Sequence, residues 1–271
     1  MNDKIILSVD GFEDLNLKDY ELYLEIGLNS YNYAIIDPKD KGVKFIAHKP
    51  VVIFNDLNDS VLQGNFAKTK ISLPTQKFTF IPSEVFHSKD LENYSKYIQP
   101  SNNDQVLIKS LEKSGITVIY ALPKLQLDKL STIFPNAEIF PQLIPFYSGI
   151  TYAFSRIGFS QLFINIKQGF IEIIILKDHQ FQFYNVFEYQ NDDELLYFIL
   201  LSVKQNKIKP ASVTVKVSGD IQQFGDTFKK IVNQFPRTEV TDQDSLPLFY
   251  NGLGQPVMPR FFSLLSLHLC E

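Results

Sequence analysis

The chain has 271 residues, 45% of them hydrophobic, enough to bury a substantial core as one large domain or two modest ones. A formal net charge of −4 and only three arginines, Arg156, Arg237 and Arg260, argue against a nucleic-acid partner and leave few bidentate phosphate clamps. One cysteine, Cys270, excludes an internal disulfide, and no run reaches the roughly 20 apolar residues of a membrane span, so a cytoplasmic protein without direct membrane insertion is expected.

The opening MNDKIILSVDGFEDLN has a short apolar run broken by Asp10 and lacks the layout of a secretory signal. From Lys4 to Pro50 the segments KIILSV, YELYLEIGL, YNYAIID and VKFIAHK favour strands, and turn residues separate them, which predicts a meander. A short helix is expected over Asp56 to Leu62, a strand over KFTFI, and a helix through HSKDLENYSKYI preceded by Ser83 as an N-cap. DQVLIKSLEKSG reads as a helix closed by Gly115, ITVIYALP as a buried strand, and KLQLDKLSTIFPNA as a further helix. AEIFPQLIPFYSGITYAFSRIG starts as a strand and becomes a long apolar helix ending near Gly158. QLFINIKQGFIEIIILKDHQFQFYNVFEY then gives three strands, followed by the helix DDELLYFILLSVKQNKI, the strand ASVTVKVSG and the helix DIQQFGDTFKKIVNQF, with Asp220 as its cap. Both halves open with three antiparallel strands and then alternate helix and strand, so duplication is expected.

Three segments resemble motifs of one superfamily. Glu25-Ile-Gly27 through Asp37 is similar to the first phosphate-binding hairpin of the actin, sugar-kinase and heat-shock chaperone superfamily, with Glu25 at its aspartate. FINIKQGFIEIIIL is similar to the second hairpin, with Asn165 at the aspartate, Lys167 at the first glycine and Gly169 two residues on. VKVSGD resembles the adenosine loop, in which only Gly219 survives. Within the superfamily the chain looks most like the pilus-assembly branch, in VIYALPKLQLDKLSTIF, in AEIFPQLIPFYSGITYAF and in the closing MPRFFSLLSLHLCE, which has Ser266 where a glycine is usual. It is identified as a member of the Bacteroidetes family of this fold filed as domain of unknown function 3822.

The resemblance implies an α/β fold of two ribonuclease-H-like, actin-like domains, residues 1–155 and 156–271, each with a mixed five-stranded sheet, and a C-terminal helix packing back toward the first. It also implies an interdomain site in which backbone N–H groups cradle phosphates and carboxylates hold magnesium. The candidate nucleotide-binding residues are Glu25, Gly27, Asn29, Ser30, Asn165, Lys167, Gly169, Ser218 and Gly219, with ATP and magnesium as the ligands to test. No catalytic or metal residue is assigned. Glu25 carries one methylene more than aspartate, Asn165 offers no charge, and Lys167 replaces a residue with no side chain. Lys167 either neutralises a phosphate as a point charge or fills the pocket. Plain structural duties also fit: Gly27 as a hairpin-turn residue, Asn165 and Lys167 as strand ends, and Ser218-Gly219-Asp220 as a strand-to-helix turn. The four histidines have no ligand spacing, and NGLGQP lacks the ending of a phosphate loop. The expected role is a catalytically degenerate module with a protein partner; the rivals are an active ATPase or small-molecule kinase, and a docking component of an envelope assembly.

Overall fold

Strand-forming residues dominate the first fifty positions, and they fold as a meander. The computed structural model describes residues 4–50, 57, 59–111, 114–154, 160–241, 243–254 and 257–271. In it β1 (Ile5–Ser8), β2 (Glu21–Ile26), β3 (Ser30–Ile36) and β4 (Val43–Pro50) pair antiparallel in the order β1-β4-β3-β2. β5 (Lys68–Leu73) runs parallel beside β2. The chain then leaves for a separate antiparallel sheet of β6 (Phe78–Pro82), β7 (Asp104–Leu111) and β8 (Ile116–Pro123), with the short helix α1 (Leu91–Ser95) between β6 and β7. Helix α2 (Lys124–Ile133) brings it back, and β9 (Ala137–Pro141) joins the first sheet parallel to β5.

Helix α3 (Leu143–Ala153) is apolar on nearly every side, as a helix enclosed by protein must be. Beyond it β10 (Gln161–Lys167), β11 (Phe170–Lys177) and β12 (Gln180–Glu188) form a second antiparallel run. Helix α4 (Asp192–Gln205) starts where the Asn191 side chain accepts the N–H groups of Asp193 and Glu194, and three acidic residues in its first turn suit the helix dipole. β13 (Thr214–Gly219), α5 (Asp226–Gln234) and β14 (Thr238–Val240) complete the second sheet, and α6 (Phe262–Leu265) lies among short 3₁₀ turns near the C-terminus.

Strand order makes the repeat explicit. In β4-β3-β2-β5-β9 and in β12-β11-β10-β13-β14 three strands pair antiparallel and the last two add in parallel. The first half departs from a five-stranded plan by the extra edge strand β1 and by the inserted three-stranded sheet. The expected break after residue 155 falls at 155–159, outside the described residues.

Alternation along β10 and β11 sorts their side chains between two cores. Leu162, Ile164, Ile166, Ile171, Ile173 and Ile175 pack on the side of α4 and α5. Phe163, Ile174 and Leu176 belong to the larger core that runs through the first half, so Asn165, Lys167 and Glu172 share that face. The inserted sheet adds aromatic contacts across the same boundary, with the Phe78 and Tyr184 rings 5.0 Å apart and Phe80 and Phe181 5.0 Å apart. α3 and the C-terminal turns approach so closely that a Cβ on Gly149 would lie 2.1 Å from Ser266 Oγ.

Several local expectations fail. DQVLIKSL is strand β7, not a helix: its apolar residues find partners along β8, from Asp104 opposite Pro123 to Leu111 opposite Ile116, and pairing overrides helical spacing. Gly115, at φ 62°, therefore turns one strand into the next rather than capping a helix. Ser83 Oγ meets Thr117 Oγ1 at 3.0 Å and caps nothing, and the helix after it is reduced to a 3₁₀ turn and α1. Of the helix expected over Asp56 to Leu62, residues 56 and 58 lie outside the described residues, and Ser60–Gln63 is a 3₁₀ turn. The helix expected from Asp220 begins six residues later, after Gly225.

Candidate functional site

Two hairpins face each other. In the first, β2 and β3 pair Glu25 with Asn32, and parallel β5 places Ser72 on the other side of Glu25. In the second, β10 and β11 pair Asn165 with Glu172, and parallel β13 places Ser218 beside Asn165. The two half-sites hold the same residue types, a Glu, an Asn and a Ser at matching lattice positions, with Glu and Asn exchanged between the strands. Asn32 Nδ2 donates to Glu25 Oε2 at 2.8 Å, and Asn165 Nδ2 donates to Glu172 Oε1 at 2.8 Å.

Lys167 joins the halves. Its Nζ lies 2.8 Å from both carboxylate oxygens of Glu25. Ser263 Oγ, on α6, donates to Glu25 Oε1 at 2.6 Å. Burial by itself would raise the Glu25 pKa, but Lys167, Ser263 and Asn32 together hold it below the ordinary carboxylate range. Both oxygens of Glu25 are thereby engaged. Tyr189 OH fixes the base of the lysine by donating to the Lys167 carbonyl at 3.0 Å.

Glu172 sits differently. It is fully buried, accepts from Tyr184 OH at 2.9 Å as well as from Asn165, and has no ion pair among the described residues. Burial pushes its pKa up to about 7, against the opposing pull of Lys167, Tyr184 and Asn165. His48 Nδ1 lies 2.7 Å from Asn32 Oδ1, and burial, with Arg260 nearby, brings its pKa down to about 4. In the second half the Asn165 Oδ1 is met by Ser218 Oγ at 3.1 Å. Ser72 Oγ, its counterpart in the first half, is buried and has no partner within hydrogen-bond distance among the described residues.

The turns themselves are close. Leu28, from the first loop, reaches to 3.8 Å from where a Cβ on Gly169 would sit, and Gly169 turns the second hairpin at φ 86°. Between the hairpins remains a void of about 20 Å³, walled by Glu25, Ser72, Lys167 and Glu172 among others. That is the space of one water, far below the roughly 300 Å³ at which small-molecule sites begin. A larger open groove, about 710 Å³, runs alongside past Gln168, Tyr189, Asp192, Gly219, Asp220 and Arg260.

Of the residues expected at the site, Glu25, Gly27, Ser30 and Lys167 line the void. Asn165 and Ser218 are buried behind it, Gly169 sits under Leu28, Gly219 lines the groove, and Asn29 is exposed. Gly27 does not have a left-handed φ; a Cβ there would stand 3.1 Å from the Ser30 carbonyl oxygen. Gly219 has φ 87°, and a Cβ on it would fall 1.9 Å from the Ile166 oxygen, so backbone contact with β10 alone demands glycine. Asp220, expected as a helix cap, instead pairs with Arg260. Sequence reasoning missed Asn32, His48, Ser72, Glu172 and Ser263. Glu172 did carry a signal, a lone carboxylate within the apolar run FIEIIIL.

Residues 10–237 match the model of a family described as protein of unknown function (DUF3822). The chain belongs to this family. Among solved structures similar to this family member is a Bacteroides thetaiotaomicron protein described as having an actin-like ATPase fold and unknown function: TM-score 0.75, 18% identity, 96% of this chain and 99% of that one covered. The PilM–PilN type IV pilus biogenesis complex contains a chain similar at TM-score 0.60 and 11% identity, over 94% of this chain and 98% of that one. The ethanolamine utilization protein EutJ from Carboxydothermus hydrogenoformans matches at TM-score 0.52 and 8% identity, over 93% and 90%. At such identities the likeness is one of fold: two ribonuclease-H-like halves of the actin-like ATPase type. No curated protein matches in sequence.

Proposed function

We propose that this chain is a catalytically degenerate actin-like protein, a cytoplasmic binding or scaffolding module in which nucleotide binding is weak or lost. One observation carries the reading: the Lys167 ammonium, 2.8 Å from both Glu25 oxygens, stands between the two turns where a phosphate cradle would have to be. A phosphate entering there must break a buried ion pair, move Leu28 off Gly169 and expand a void of about 20 Å³. Glu25 has no free oxygen with which to hold hydrated magnesium, and Asn165 is committed to Glu172 and Ser218. A protein partner fits the same reading, since a similar chain occurs in a pilus biogenesis complex. No helix among the described residues is long and apolar enough to cross a membrane.

The second reading, an ATPase or kinase with Glu25 on metal duty, is favoured by the open groove of about 710 Å³ beside Gly219. Calorimetric titration with magnesium and ATP separates the two. The degenerate reading expects no saturable heat up to millimolar ATP. Micromolar binding, with turnover abolished by Glu25→Ala, would establish the rival.

A further inference from the structure

We propose that closure of the two turns over their shared void takes up one proton, held on Glu172. Glu25 and Glu172, one from each half, flank this void with Lys167 as the one ammonium in its lining, and that ammonium is engaged with both oxygens of Glu25. Glu172 is faced by Asn165 and Lys167 from β10, by Tyr184 from β12 and by Glu25 from β2. His48 and the Asp220 paired with Arg260 stand on the farther walls. Ionising Glu172 in the closed arrangement therefore leaves one negative charge away from water without a counterion.

Its counterpart Glu25 shows what compensation would look like, since it has Lys167 and Ser263 in addition to an asparagine. Parting Leu28 from Gly169 and Lys167 from Glu25 wets the wall that Glu172 forms, and its ionised form then becomes affordable in water. The closed turns hold the carboxyl protonated; the open turns release it. The upward shift to about 7, from an ordinary value of 4.5, has the sign this requires. The inference stands whether or not the cleft takes a ligand.

The pH window follows from those two values. Through Glu172, opening is independent of pH below about 4.5, releases a proton and grows about tenfold per pH unit between about 4.5 and 7, and levels off above about 7; His48, brought down to about 4 by burial, acts with the opposite sign wherever opening wets it. Hydrogen exchange on the intact protein between pH 5 and 8, corrected for intrinsic exchange rates, reads the opening of segments 26–31 and 166–171. The ratio of opening in the wild type to opening in Glu172→Gln, which mimics the neutral acid and keeps His48, is expected to rise steeply to pH 7 and then plateau. A ratio that does not change with pH overturns the proposal. A ratio that keeps rising from pH 7 to 8 overturns it equally, by assigning the proton to another group.

Discussion

Lys167 and Glu25 form a buried pair in which each atom has a single arrangement to satisfy. The lysine side chain is 12% exposed and the glutamate 7%, so removing one partner strands the other charge. Lys167→Met is expected to lower unfolding stability by about 3 kcal/mol in urea denaturation. Adding Glu25→Gln to that variant should restore most of the loss, because the stranded carboxylate is gone. A single-variant loss below about 1 kcal/mol would mean that Lys167 is not the counterion that keeps Glu25 ionised. These two residues were legible in the sequence because they occupy the strand ends of hairpins with a familiar outline. Glu172 was not, because it lies mid-strand, where polar residues are usually read as the solvent side of an alternating pattern. Here both faces of the strand are covered, and the carboxyl points at the seam between halves.

At the scale of elements, hairpins and buried strands were readable because their β-branched and aromatic runs agree with the pairing they enter. β7 was misread for a physical reason. DQVLIKSL places apolar residues compatibly with either period, and only β8 alongside decides. The strand-to-loop junction after β13 was read correctly as a glycine position but for an incomplete reason, since the close neighbour is the Ile166 carbonyl. Comparing two left-handed glycines isolates that cause. Gly115, at φ 62°, would have nothing among the described residues within 4 Å of an added Cβ, whereas Gly219, at φ 87°, would have an oxygen at 1.9 Å. Gly115→Ala should cost about 1 kcal/mol, the price of the backbone conformation alone, and Gly219→Ala at least about 2 kcal/mol more. Equal losses in thermal or urea unfolding would show that contact with β10 is not what fixes Gly219.

For the whole molecule, the repeated strand order sets two hairpins opposite each other, and the side chains at their tips determine what the arrangement can do. The space between them is filled by one lysine, one leucine and a carboxylate with no oxygen to spare. The fold was within reach of sequence reasoning because many weak hairpin and loop signals keep their order along the chain. The state of the cleft was not, because it depends on where a single flexible lysine side chain points. A crystal structure grown with magnesium and a non-hydrolysable ATP analogue tests this most directly. It is expected to show Lys167 on both oxygens of Glu25, Leu28 over Gly169 and no phosphate between the turns. Phosphate density cradled by the two hairpins, with Lys167 swung away from Glu25, would contradict it.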